Sequence, residues 1–125
     1  IEALLAPTGQ TLWLQQEADL DAVTALSGSG PAYVFFFLEA MLQAAQDMGL
    51  DAAQGRALAL ATFAGATELA RQSDEPVSLL RERVTSKGGT TFAALTSMQA
   101  DGVQAAIVKA IRAAQQRAHE LGAGG

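Results

Sequence analysis

The sequence predicts an all-α fold with at most one short strand near its start. Three observations carry this. Apolar residues recur at spacings of three and four from Glu17 to Leu121, the period of an α-helix with one covered face. Glycine, proline and short polar residues punctuate that pattern at intervals suited to helices of ten to twenty residues. Strict alternation, the mark of a half-covered strand, occurs only over Gln10 to Gln15, where Leu12 and Leu14 oppose Thr11 and Trp13.

Taken in order, Ile1 to Leu5 reads as the end of a helix stopped near Pro7 and Gly9. The strand Gln10 to Gln15 follows, and a lone strand needs partners from elsewhere. Glu17, Asp19 and Asp21 place negative charge in the first turn of a helix, as the helix dipole favours. Ser27-Gly28-Ser29-Gly30-Pro31 breaks that helix, with Pro31 suited to open the next. From Pro31 to Met48 the polar residues are Glu39, Gln43, Gln46 and Asp47, a narrow stripe on a helix otherwise apolar all round. Such a helix needs cover on most sides, either as the centre of a monomer core or against a partner. Gly49 and Asp51 fit a C-cap followed by an N-cap. The helix Asp51 to Gln72 is rich in small residues, and Ala57, Ala61, Ala64 and Gly65 form a smooth face for close approach. A helix from Glu75 or Pro76 to Val84 leads into a glycine loop, and Phe92 to Met98 forms the next helix. Beyond Asp101-Gly102 a final helix carries the stripe Val103, Ile107, Ala110, Ala114, Ala118 and Leu121. Ala123 to Gly125 reads as a flexible tail.

Composition excludes several classes of function. The 125 residues suffice for one domain, and half of them are hydrophobic, which argues against disorder. A net charge of −5 with scattered basic residues disfavours nucleic acid, whose phosphates require clustered Lys and Arg. With no cysteine and one histidine, neither a thiol nucleophile nor a metal site is expected. The longest apolar run, Pro31 to Leu38, is too short to cross a bilayer, so no membrane association is expected. The chain opens at Ile1 without Met and reads as a piece of something longer.

The chemistry concentrates in Thr85-Ser86-Lys87-Gly88-Gly89-Thr90-Thr91, four hydroxyls, two glycines and a lysine ahead of a helix start. The first turn of a helix has N–H groups without intrahelical partners, and its dipole end is positive. Gly88 and Gly89 allow close backbone approach. The loop therefore suits a small anion such as a carboxylate or phosphate, with Thr90 or Thr91 as the N-cap. The same residues also read as a plain helix cap. No strand leads in and the lysine precedes the glycines, so this is not a nucleotide P-loop. Gly28-Ser29-Gly30 is not a dinucleotide fingerprint either, since Tyr33 stands at the third glycine position. His119, the sole histidine, complements the dipole near the end of the last helix. Asp74 and Glu75 are a solvated helix start or, alternatively, a means to orient a cationic nitrogen.

Two blocks resemble pyrroline-5-carboxylate reductase, in that family's order and spacing. The first is Asp21 to Tyr33, with Ser27-Gly28-Ser29-Gly30-Pro31 at its centre, and the second is Thr85 to Thr91 with Leu95 beyond it. The resemblance runs from Glu17 to Leu121. Lys87 stands where family members carry proline. It implies the helical dimerisation domain of a two-domain dehydrogenase, built like the C-terminal domain of 6-phosphogluconate dehydrogenase, with one residual strand of a missing Rossmann domain. Residues 1–16 would then be the tail of the dinucleotide-binding domain, 17–122 the dimerisation and substrate domain, and 123–125 a tail. It further implies NAD(P)H-dependent reduction of 1-pyrroline-5-carboxylate to proline, in the cytoplasm, by a homodimer assembling into larger oligomers. Ser86, Gly88, Gly89, Thr90 and Thr91 would hold the substrate, Thr91 would act on its ring nitrogen, and Pro31 would pack against the ring. NADPH or NADH would sit mainly in the missing domain. The alternatives are a non-catalytic helical dimerisation module and the helical domain of a related two-domain dehydrogenase.

Overall fold

The computed structural model describes residues 2–5, 10–13 and 17–124. Its order is β1 (Glu2–Leu5), β2 (Gln10–Trp13), α1 (Glu17–Val23), a π-helical turn (Thr24–Gly28), α2 (Gly30–Asp47), α3 (Ala52–Gln72), α4 (Val77–Arg83), α5 (Thr90–Ala100) and α6 (Val103–Gly124). Helices dominate, as the periodicity predicts.

The start of the chain departs from expectation. Glu2–Leu5 is a strand, not a helix end, and it pairs antiparallel with β2 in the register Glu2 to Trp13 and Leu5 to Gln10. The strand expected alone has its partner within the chain. A run of five residues is too short for its period to separate helix from strand, and the turn formers Pro7 and Gly9 suit either reading. Residues 14–15 of the expected strand lie outside the described residues, as does residue 125 of the expected tail; Ala123 and Gly124, expected in that tail, are the last residues of α6.

The break expected at Ser27 to Pro31 is present and takes a particular form. Thr24–Gly28 widen into a π turn, in which the Ser29 N–H donates to the Thr24 carbonyl at 2.9 Å; Ser29 ends that turn, and α2 starts anew at Gly30 with Pro31 at its second position. Taken together these pieces give a helical run, Asp19–Asp47, of 29 residues with a window of mean hydropathy 1.2, long and apolar enough to cross a membrane by length and composition. The expectation that no segment reaches that length rested on the apolar run Pro31 to Leu38 alone.

Residues 1–34 and 104–125 form one compact unit, and 35–103 a second. In the first, the Tyr33 hydroxyl donates to the Ala25 carbonyl at 2.7 Å, and His119 Nδ1 lies 3.2 Å from Asp21 Oδ2. Asp21 is buried at 8% exposure, so His119 supplies its polar partner. His119 thus bonds a residue distant in sequence, and it stands more than one turn before the end of α6, outside the reach of the dipole end.

In the second unit α2 ends in a full Schellman motif. Gly49, at φ 95°, donates to Gln46, and Leu50 donates to Ala45, both at 3.0 Å. Asp51 then caps α3. Its carboxylate accepts from the Gln54 N–H at 2.8 Å while the Gln54 side chain accepts from the Asp51 N–H at 3.3 Å. Removing that cap with Asp51→Ala should cost about 1 kcal/mol, readable as a lower midpoint in denaturant. Close approach of α2 and α3 occurs at Gly55, where a Cβ would stand 3.0 Å from the Ala45 Cβ. Gly55 and Ala59 are the covered small residues of α3, whereas Ala57, Ala61, Ala64 and Gly65 are exposed. The smooth face expected to pack is bare in the protomer, and a Cβ at Gly65 would meet nothing within 4 Å. Farther along, the rings of Phe37 and Phe63 meet edge to face at 5.5 Å.

Cover is scarce. Among the described residues the buried apolar side chains are Ala25, Ala45 and Ala59, while Phe35 and Phe36 stand 62% and 76% exposed.

Candidate functional site

The glycine loop lies between α4 and α5, within the second unit. Its entry is tied down by α4. The Thr85 hydroxyl donates to the Arg81 carbonyl at 2.6 Å, and the Thr85 N–H donates to Glu82 at 3.1 Å. Thr85 therefore closes α4, and its hydroxyl is occupied. Arg83 pairs with Glu75 at 2.7 Å, joining the two ends of α4. Both side chains are exposed, so the pair contributes little stability. It nevertheless engages the Glu75 carboxylate, which was one alternative for orienting a substrate nitrogen.

Ser86 to Gly89 form a turn. The Gly89 N–H donates to the Ser86 carbonyl at 2.9 Å, and Gly88 takes φ 78° at the third position. That is the geometry of a type II turn, which requires positive φ there and favours proline at the second position. Lys87 holds that second position. Proline would preset the same angle and reduce the freedom of the unfolded chain. Lys87→Pro should stabilise the domain by about 0.4–1 kcal/mol, seen as a higher Tm with unaltered secondary structure. A Cβ on Gly89 would come within 3.2 Å of the Ser86 carbonyl oxygen, so a side chain there would require the turn to give by a few tenths of an ångström.

Helix α5 starts one to two residues earlier than expected. Gly89 is its N-cap, with extended backbone and no side-chain cap bond, and its carbonyl accepts from the Ala93 N–H at 3.0 Å. Neither Thr90 nor Thr91 is the cap. They occupy the first two helical positions, and the hydroxyls of Ser86, Thr90 and Thr91 bond to nothing among the described residues. The N–H groups of Thr90, Thr91 and Phe92 precede the first intrahelical bond and stand free at the positive end of the dipole. The Gly89 N–H, expected as a donor to a ligand, is consumed by the turn. The loop thus offers three backbone donors and up to three hydroxyls beside the Lys87 ammonium, on an exposed surface.

Pro31 is exposed at the second position of α2, in the other unit. Among the described residues no cluster of His, Asp or Glu is built to hold a metal. A dinucleotide cradle requires a strand, a glycine turn and a helix, and residues 17–124 contain no strand. Two contacts escaped the sequence reading. The Asp21–His119 pair joins residues 98 apart, and no local pattern signals it. The Tyr33–Ala25 bond depends on the π turn, which glycine-rich sequence does not announce. Hydrogen bonds from Arg71 and then Gln72 hold the Glu68 carboxyl below its ordinary value on the open face of α3.

Comparison with known proteins gives a consistent result. Residues 17–121 match the model of the pyrroline-5-carboxylate reductase dimerisation family. A pyrroline-5-carboxylate reductase of Pseudomonas aeruginosa is 48% identical over 94% of this chain and 43% of its own length. Pyrroline-5-carboxylate reductase 2 of Bacillus subtilis is 45% identical over 96% of this chain and 43% of its own. The chain thus spans less than half the length of these relatives. The crystal structure of Plasmodium falciparum pyrroline carboxylate reductase with NADP bound superposes with a TM-score of 0.83 at 34% identity, over 86% of this chain and 44% of that one.

Proposed function

This chain belongs to the pyrroline-5-carboxylate reductase dimerisation family, and we propose that it is the dimer-forming, substrate-holding part of an NAD(P)H-dependent pyrroline-5-carboxylate reductase of proline synthesis. The observation that carries the reading is the loop Ser86 to Thr91. It presents free backbone donors at a helix start, in a chain matched to the family over residues 17–121.

The substrate carboxylate is held by the N–H groups of Thr90, Thr91 and Phe92, with the Ser86 hydroxyl as a further donor. Gly88 and Gly89 shape the turn that clears the approach. The Thr91 hydroxyl orients the ring nitrogen, and Pro31 packs against the ring. These residues position a substrate that arrives as a charged imine, so few acid or base groups are needed. When bound, the nicotinamide cofactor supplies the hydride. Residues 17–124 do not fit its cradle, so NADPH or NADH belongs to a separate N-terminal domain, with residues 1–16 as its tail. The exposed faces of α2 and α3 pair with a second copy, and dimers assemble further. That pairing accounts for the apolar run Asp19–Asp47 without a bilayer, and the protein works in the cytoplasm without nucleic acid.

Two assays test this. The complete protein should consume NADPH only when pyrroline-5-carboxylate is present, and form proline. The isolated chain should neither turn over nor bind NADPH at micromolar concentration by calorimetry. Saturable binding of NADPH by the isolated chain contradicts the assignment of the cofactor to another domain.

A further inference from the structure

We propose that Tyr33 is a positioning residue that acts through Pro31: its hydroxyl locks the π turn and so fixes the path of Ser27-Gly28-Ser29-Gly30-Pro31. The inference rests on the proposed contact of Pro31 with the substrate ring. The geometry behind it is local to the first unit. In an α-helix the Ser29 N–H would donate to Ala25, four residues back. Here it donates to Thr24, five residues back, at 2.9 Å. The Ala25 carbonyl is left without its usual donor, and Ala25 is buried at 1% exposure. A buried carbonyl needs a partner. The Tyr33 hydroxyl provides it at 2.7 Å, reaching back eight residues across the turn.

The bond has a mechanical consequence. Pro31 lies two residues before Tyr33 on the same first turn of α2. The turn between Ala25 and Pro31 contains Gly28 and Gly30, where an added Cβ would touch at most one side chain, at 3.8 Å. Pro31 has no N–H and cannot sit inside a continuous α-helix, so the backbone ladder of the turn ends at Ser29 and α2 starts anew. The two glycines leave that join free to change direction, and the Tyr33 hydroxyl spans it. Tyr33 holds the wide register, and with it the direction in which Pro31 faces.

The test is a double-mutant cycle in the complete protein, with Tyr33→Phe, Pro31→Ala and both together. Tyr33→Phe removes one oxygen and keeps the ring. It should lower kcat for pyrroline-5-carboxylate about fivefold, the factor that corresponds to one hydrogen bond worth about 1 kcal/mol. KM should change little, because the carboxylate anchor at Ser86 to Thr91 is untouched. In the Pro31→Ala background the same change should add nothing, since the positioned group is gone. Amide exchange at Ser29 should quicken in Tyr33→Phe. Equal losses in both backgrounds, a fall in Tm with normal kcat, or unchanged exchange at Ser29 each overturn the proposal. Thr91→Ala run alongside separates the two readings: normal turnover by that variant removes the loop assignment, while coupling between Tyr33 and Pro31 stands or falls by the cycle.

Discussion

Phe36→Asp should dissociate the homodimer or leave it unable to fold. Phe36 is 76% exposed on α2, beside Phe35 and across a helix that is apolar almost all round. A buried aromatic of this kind is worth about 2 kcal/mol or more at an interface. A two-fold interface carries it twice, so Kd should rise about a thousandfold, on the scale of about 1.4 kcal/mol per factor of ten. Two glycine variants separate association from folding. Gly55→Val places a Cβ 3.0 Å from Ala45, so it should destabilise the protomer itself. A Cβ at Gly65 meets open space, and Gly65→Leu should leave α3 helical while blocking association. Sedimentation and circular dichroism on the three variants give the pattern. A monodisperse monomer of the unmodified chain at micromolar concentration contradicts the interface.

Thr91→Ala in the complete protein should reduce kcat/KM for pyrroline-5-carboxylate by about ten- to a hundredfold, for one lost hydrogen bond to a charged group at about 1.5–3 kcal/mol. Gly89→Val should do more harm, because its Cβ crowds the Ser86 carbonyl within 3.2 Å and distorts the turn beneath the donors. KM for the cofactor should hold steady in both. The competing view, a plain cap, predicts lost stability instead. Since Gly89 is the N-cap and Thr91 sits at the second helical position without a cap bond, Thr91→Ala should leave Tm unchanged or slightly raised, alanine being the better helix former. An early-melting variant with normal turnover would make the loop a cap.

How much of this was legible depended on how local the cause was. Gly49 and Asp51 announced both caps between α2 and α3, the first because positive φ favours glycine and the second because a short acceptor side chain before a helix takes up its free N–H groups. The stripe of α6 was legible for the same reason, one helix and one period. Thr90 and Thr91 misled because hydroxyls are the usual N-caps, yet glycine caps nearly as well, and only the turn hydrogen bond at Gly89 decides between them. Ser27 to Pro31 announced the join before α2 but not the π turn that leads into it, because glycine and proline mark breaks without saying how the preceding helix ends. The donor that stabilises the wide turn sits at Tyr33, outside the motif. Which glycine of α3 is covered, Gly55 or Gly65, depends on where α2 crosses, a tertiary fact. The pairing of Asp21 with His119 is beyond any local reading.

The most direct measurement is the crystal structure of the complete protein with a proline analogue bound. The proposed substrate site requires the analogue's carboxylate within about 3 Å of the backbone nitrogens of Thr90, Thr91 and Phe92, with its ring nitrogen toward the Thr91 hydroxyl. A carboxylate bound away from the start of α5, with those three nitrogens still facing solvent, would contradict it.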